Sequence, residues 1–543
     1  MITEIQTGTY IEAQIELCPI CLNPAKSESL SEASWLPLGA VAMLESRHPG
    51  WQMSYGACPS CVQSTLLEQL IAQGEVTIED RIKAALPLSA EAAFGVLPTP
   101  MRLHGDSRFR GRGTALALID IGFYPHPDLV KPDNRIRAWV DASVEPVNAL
   151  FFGPNETPEW PGWDSAGPAQ WHGLMTSGVA AGNGWLSHGL YRGFASEADV
   201  VLVQVRGQDG RIGNANIARA LRWLHQNGPA LGVKVVSISV AGERRDWLAW
   251  NAVDKAVSAL VEDGITVVAA SGNAGKRELV PPATAPDALT VGGIDDRNNF
   301  DPEAVDVWHS NYGECVTGLQ KPELVAPSIW VVAPVLPGTE VAAEAERLFT
   351  LRQIRDLNVE LLIADQKFVT PYYQHVEGTS FAAPIVASVI ACMLEANPSL
   401  TPDKIREILE TTAQPVEGAD RERQGAGALV PALAVACAAR AESGPLEGIP
   451  LSPQVNASGV TFWLYEPDAT SVRLQGSWDN QSSSPGVEAR QERPGIWRAR
   501  IEGLDAGQYT YRFLVDGVRW VDDPSNPRKV ANVRSGFDSA FIL

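Results

Sequence analysis

Four short segments place an acid, an imidazole, an amide and a hydroxyl in that order along the chain. In the first, Ala117-Leu-Ile-Asp120-Ile-Gly122, an apolar strand ends on an acid and then a glycine. An acid at the carboxyl end of a parallel strand stands where open α/β sheets place their sites. The second, Trp171-His172-Gly173, precedes small residues from Thr176 to Ala181 that read as the start of a helix. The third, Val267-Val-Ala-Ala-Ser-Gly272-Asn273, is a strand that closes on Gly-Asn. In the fourth, Gly378-Thr379-Ser380-Phe-Ala-Ala-Pro384, a serine opens a small-residue helix, which sets its hydroxyl and N–H at a helix N-terminus.

These residue types meet the needs of acyl transfer to a serine. A hydroxyl is a poor nucleophile unless a neutral imidazole takes its proton, and the imidazole needs an acid to fix its tautomer and stabilise the imidazolium. The tetrahedral oxyanion needs donors, which the Asn273 amide and the Ser380 N–H would supply. Taken singly each segment has a plainer reading: a capping or structural Asp, an incidental His-Gly, a turn-forming Asn, an ordinary helix start.

A second cluster is formed by cysteines, in the pairs Cys18-Pro-Ile-Cys21 and Cys58-Pro-Ser-Cys61. A two-residue gap lets a tight turn aim both sulfurs at one point, and two such turns place four thiolates around a single zinc ion. A redox dithiol is the other reading, but two matched turns suit a closed structural site better than one reactive pair.

The elements that must position these residues fall into three regions. Residues 1–75 form the expected zinc module, with an amphipathic helix over Ser64–Ala72. Residues 76–444 alternate apolar runs (Thr114–Ile119, Val200–Val205, Val233–Ile238, Ile265–Ala270, Ala288–Val291) with helical stretches such as Asn214–Gln226 and Trp247–Glu262. Runs without period-2 alternation suit strands buried on both faces, so the order predicts an α/β fold, a parallel sheet with helices on both sides. Further on, Thr401 and Pro402 fit the N-cap and first position of another helix. After a Gly/Pro-containing linker, roughly Ser443–Pro453, residues 454–543 switch to alternation: Val460–Tyr465, Ser471–Leu474, Ile496–Ile501 and Tyr509–Val515 predict a β-sandwich.

The net charge of −21 repels nucleic acids and acidic membranes, so neither is expected as a partner. Nowhere do eighteen uncharged apolar residues run together, and the first residues show no basic-then-apolar leader pattern. With seven cysteines, an odd number, the expected location is the reducing cytoplasm.

Together, in the order Asp, His, Asn, Ser, the four segments resemble the subtilase family over about 110–440. Other shared stretches are His126-Pro-Asp-Leu129, VVSISVAG, PPATAPDALTVGG and KPELVAP. The resemblance implies peptide-bond hydrolysis through an acyl-enzyme: Asp120 orients His172, His172 acts as base and then acid, and Ser380 attacks. It also implies that Ser239-Val240-Ala241-Gly242 is an extended segment pairing with substrate backbone and lining the S1 pocket. Ala269, Ala270, Ser271 and Gly272 would form the other wall. Those small neutral walls predict an apolar or neutral P1 residue in a protein or peptide substrate. The family often holds calcium through an acid at the Asp128 position. Leu174 and Met175 stand where the family usually has Thr and a second His, and insertions lie at Phe151–Ala169 and Pro337–Gln374, the latter with a helix over Glu340–Arg355. Residues 62–110 lack the pattern of the usual inhibitory propeptide, so the expectation is folding without self-cleavage, or a zinc module that assists or gates it.

In the third region, Gly476-Ser-Trp-Asp-Asn480, Gly507–Gly517 and Trp520-Val-Asp-Asp-Pro524 resemble the glycogen-binding module of AMP-activated kinase β subunits over about 456–543. Arg512 and Trp520 match its carbohydrate-binding positions, whereas Gln481 stands where binders usually carry Trp. A structural or protein-docking role is therefore favoured over glycan binding. Two further readings stay open: transfer of the acyl group to an amine, making a macrocyclase or ligase, and a binding protein whose protease domain is degenerate.

Overall fold

A computed structural model describes residues 15–22, 24–26, 38–58, 61, 65, 96–153, 156, 169–243, 251–298, 305–315, 317–352, 357–456, 458–479, 486–532 and 536–543. The expected helix at Ser64–Ala72, the Trp247 start of the later helix and position 481 lie outside them.

The central sheet has nine strands among the described residues. They are β1 (Ala115–Asp120), β2 (Ile136–Asp141), β3 (Asn148–Phe151), β4 (Asp199–Gln204), β5 (Val233–Ile238), β6 (Thr266–Ala270), β7 (Leu289–Asp295), β8 (Asp306–Val307) and β9 (Leu324–Pro327). Their order is β8-β7-β6-β5-β1-β4-β2-β3, with β9 also on β7. Every pairing is parallel except β2–β3 and β7–β8, which add antiparallel strands that apolar runs did not mark. The chain leaves β1 toward β4 and β2 and returns on its other side to β5, β6 and β7. The end of β1 is thus the switch point of the sheet, the crevice where such sheets bind ligands.

Strand geometry divides the core in two. Side chains alternate along a strand, so Leu116 and Leu118 enter one apolar cluster while Ala115, Ala117 and Ile119 enter the other. The first is filled by α1 (Gln170–Ala181) and α4 (Thr379–Ala396), the second by α2 (Asn214–Asn227) and α3 (Ala252–Glu262). Helix α3 starts at Ala252, where the Asn251 side chain accepts the N–H groups of Val253 and Asp254. Helix α4 is the one described helix long and apolar enough to cross a membrane, yet it is the buried axis of this domain. Thr401 does cap Pro402–Thr412, accepting from the Lys404 N–H.

Within 337–374 the described residues include two helices, Glu340–Arg352 and Leu357–Asp365, which share a small core of Leu348, Phe349 and Ile363; the expected end of the first at Arg355 lies outside the described residues. They lead into β11 (Tyr373–Val376), which pairs antiparallel with β10 (Val331–Pro334) and runs on into Gly378-Thr379-Ser380.

Beyond this domain, two antiparallel sheets share one core. Phe462 and Leu464 of Gly459–Tyr465 meet Leu474, Tyr511, Phe513 and Phe541 of the facing sheet. In the intervening segment Leu446 and Ile449 are buried in the first apolar cluster, because the chain folds back over Pro431–Arg440 before entering the sheets. Arg108 donates to the Tyr465 carbonyl across the same junction.

Candidate active site

The acid lies at the last residue of β1 and is fully buried, at 0% exposure. His172 was expected just before a helix; it lies inside the first turn of α1, which begins at Gln170. Gly173 sets how closely that turn approaches the sheet. A Cβ there would stand 2.0 Å from the Gly122 carbonyl oxygen, so only glycine lets α1 lie directly on the loop after β1. That approach brings His172 Nδ1 within 2.6 Å of Asp120 Oδ1. The Ile121 N–H donates to the same oxygen at 2.7 Å, and the Thr176 hydroxyl to Oδ2 at 2.7 Å. The imidazole sits between the indole of Trp171, edge-on at 5.2 Å and half exposed, and the buried Phe381 ring at 5.9 Å.

Ser380 is the second residue of α4. Pro384 lies four residues on and has no N–H to return to the Ser380 carbonyl. Ser239, just past the end of β5, fills that gap: its hydroxyl donates to the Ser380 carbonyl at 2.8 Å. The Ser380 hydroxyl in turn donates to the Ser239 carbonyl at 3.4 Å, a long bond. Resting nucleophiles are often loosely placed in this way before substrate arrives.

Asn273 follows β6. Its amide oxygen accepts both the N–H and the hydroxyl of Thr379, at 2.9 and 2.8 Å, which leaves Nδ2 as the free end. Thr379 Oγ1 also accepts the Gly272 N–H at 3.1 Å. Asn311 braces the same loop from outside. Its side-chain oxygen accepts the N–H groups of Ala274 and Lys276, at 2.9 and 3.2 Å, and its own N–H donates to the Gly272 carbonyl at 2.8 Å. Gly272 has φ +102°, and a Cβ there would meet Asn311 Nδ2 at 2.7 Å.

Sequence reasoning missed Thr176, Thr379 and Asn311. Two carried a local signal: Thr379 adjoins Ser380, and Thr176 lies one helical turn after His172. Asn311 carried none, because its partners are 35 to 39 residues away in the chain.

Of the residues expected to line substrate, Ala241 is exposed and Ala270, Gly242 and Gly272 are partly exposed. Ser239, Val240 and Ser271 are not wall side chains. Val240 is buried in the second core cluster, Ser271 is buried beneath the loop, and Ser239 is spent on Ser380. Alternation along extended backbone turns neighbouring side chains to opposite sides.

Burial pushes the His172 pKa down, but the charge of Asp120 and its hydrogen bond outweigh it and leave the imidazole above its ordinary value. Two consequences follow from the sign. A raised folded-state value contributes stability that is fully present below about pH 6.5, the unfolded value, and is lost as pH rises through the folded one. With His172 as general base the neutral ring would be the working form, so kcat/KM is expected to rise with pH along a single-proton limb centred above about 6.5. A profile with its limb below 6 would contradict this assignment.

The four cysteine sulfurs all lie within 4.8 Å of one another, the one such cluster of potential ligands among the described residues. Cys18 and Cys61 are 3.9 Å apart and Cys21 and Cys58 are 3.6 Å apart, and none is in a disulfide. The Ile20 and Cys58 N–H groups donate to Cys18 Sγ at 3.4 and 3.2 Å. Asp128, expected as a calcium ligand, is buried, and the Tyr373 hydroxyl sits 2.9 Å from each of its carboxylate oxygens. The calcium expectation therefore finds no support at this carboxylate. In the C-terminal sheets the Arg512 guanidinium lies 5.7 Å over the Trp520 ring, so one face of that indole is already covered.

The fold and this arrangement define a subtilisin-type serine endopeptidase. The chain belongs to the subtilase family, whose profile matches residues 111–427. It is 28% identical over 380 residues to serine protease AprX of Bacillus subtilis, covering 68% of this chain and 76% of that protein. It is 28% identical over 304 residues to subtilisin BL of Lederbergia lenta, covering 56% and 84%. Among solved structures it is similar to the prenylagaramide maturation protease PagA, at 20% identity and a TM-score of 0.42, covering 63% of this chain and 99% of that one.

Proposed function

We propose that Ser380 is the nucleophile of this endopeptidase, His172 its general base and then acid, Asp120 the group that orients His172, and Asn273 an oxyanion donor. The observation that carries the assignment is the 2.6 Å bond between His172 Nδ1 and the buried Asp120 carboxylate. It fixes the proton on Nδ1 and leaves Nε2 to take the serine proton. The scissile carbonyl carbon bonds to Ser380 Oγ, and its oxygen gains the negative charge that Asn273 Nδ2 and the Ser380 N–H stabilise. His172 then hands its proton to the leaving amine, and water repeats the sequence to release the acid. The small residues Ala241, Gly242, Ala270 and Gly272 support a neutral P1 side chain.

A fluorophosphonate probe tests this directly. It should label the wild-type protein and leave folded Ser380→Ala unlabelled, in parallel with cleavage of casein by the first and not the second. Labelling that survives the substitution would remove Ser380 from its role.

For the cysteine cluster we propose structural zinc. A tetrahedron with zinc–sulfur bonds of about 2.3 Å has edges of about 3.8 Å, and the Cys18–Cys61 and Cys21–Cys58 separations straddle that length. For the C-terminal sheets we favour a structural role, as a sandwich related to glycogen-binding modules. Its junction with Arg108, Phe109 and Pro431–Arg440 and the covered Trp520 face support that reading. That none of the seven cysteines is in a disulfide supports a reducing compartment.

A further inference from the structure

Asp120 is the least accessible member of the proposed triad, and its two oxygens are served from different elements. Oδ1 accepts from His172 Nδ1 and from the Ile121 N–H. Oδ2 accepts from the Thr176 hydroxyl at 2.7 Å, the donor the structure gives it. The hydroxyl has one rival acceptor, the Gly173 carbonyl at 3.3 Å, and the shorter, charge-assisted contact takes its single proton. The residue after the acid is isoleucine and offers only its N–H.

Thr176 lies four residues after His172 on α1, so both side chains emerge from one helix face, one turn apart. The helix therefore holds the carboxylate at two points, one oxygen each. A carboxylate held at one oxygen alone can turn about its Cβ–Cγ bond, and that rotation would misalign the bond to Nδ1. Held at both, it keeps Oδ1 aimed at Nδ1, and a buried oxygen that would otherwise lack a partner is satisfied.

We infer that Thr176 is a positioning residue for the reaction: its hydroxyl fixes Asp120 so that His172 keeps its proton on Nδ1 and its base at Nε2. The inference rests on the reading of Asp120 and His172 as the acid–base pair. Thr176 touches neither substrate nor the reacting atoms, and acts through Asp120.

The test compares Thr176→Val, which keeps the branched shape and loses the donor, with Thr176→Ser, which keeps the donor. Rates are expressed per fluorophosphonate-titrated site, so that unfolded protein does not count. Thr176→Val should lower kcat about 10- to 100-fold, the range a charge-assisted hydrogen bond supports, with KM within twofold of wild type. The acid limb of kcat/KM should move upward, because the carboxylate loses a donor that disperses its charge and so holds the imidazolium more strongly. Thr176→Ser should restore kcat to within threefold. Should the valine variant fail to fold, Thr176→Cys, a weaker donor of similar size, takes its place, with serine then expected above cysteine. Wild-type kcat in the valine or cysteine variant, or a loss that serine does not restore, would overturn the inference. Asp120→Asn run alongside separates the two readings. If it is silent, the acid–base pair itself is wrong; if it is severe while Thr176→Val is silent, only the role of Thr176 falls.

Discussion

His172→Ala is expected to lower kcat by about 10⁶, and adding Ser380→Ala to it is expected to change almost nothing further. Residues that act as one unit lose most of their effect with the first deletion. In the proposed assignment the base on α1 and the nucleophile on α4 are useful only together: without the imidazole the hydroxyl keeps its proton, and without the hydroxyl the imidazole has nothing to activate. A factor of 10⁶ is about 8 kcal/mol of barrier. Asp120→Asn should cost less, about 10⁴, because it disturbs the tautomer and leaves base and nucleophile present. The residual rate in the double variant is expected to come from the proposed oxyanion donors, the backbone N–H at position 380 and Asn273, whose amide is held by Thr379. Single-turnover kinetics on one peptide substrate, for the two single variants and the double, decide the matter. Multiplying losses in the double variant would show that His172 and Ser380 act independently and would break the proposed assignment.

The second large effect concerns the N-terminal module. Purified protein is expected to contain about one zinc per chain, and its removal by a strong chelator should unfold the segment carrying the knuckles. Four thiolates at these spacings repel one another without a cation, and zinc binding in small modules of this kind supplies about 10–16 kcal/mol of folding free energy. The apolar core around the site is too small to replace that: Val41, Leu44, Trp51 and Ala57, closed by Leu97. The expected readout is new protease cleavage before residue 96 after chelation, and the same cleavage in Cys18→Ser and Cys58→Ser without chelator. The catalytic unit should remain folded and still label at Ser380. Arg102 anchors its first segment independently, through Asp296 at 2.7 Å and the Leu97 and Trp330 carbonyls at 3.0 and 2.8 Å. Protein that carries no metal, or that is unmoved by chelation, would return the cysteines to the redox reading.

Much of the site was legible because its chemistry is written in adjacent residues. A run of apolar residues ending on Asp120, the Gly beside His172, the Gly before Asn273 and the small residues after Ser380 each describe a strand end or helix start. Two matched CPxC turns did the same for the sulfur cluster. Alternation conceals which side chains face out: Val240 and Ser271 lie in segments expected to line substrate, yet their side chains are buried. The stretch read as a linker carries Leu446 and Ile449, whose burial depends on a helix it touches only after folding.

The sequence by itself determined the kinds of group present, acid, imidazole, amide, hydroxyl and four thiols, and most of the ends of the elements that carry them, since both follow from neighbours a few residues apart; the start of α1 at Gln170 is the exception. The tertiary structure decided how those groups are held. Thr379 turns the Asn273 amide outward, Asn311 braces its loop from more than thirty residues away, Ser239 satisfies the carbonyl that Pro384 leaves open, and Thr176 takes the second oxygen of Asp120. Each of these is a hydrogen bond of about 3 Å with direction, and three of the four join elements that only the folded sheet and its helices bring side by side.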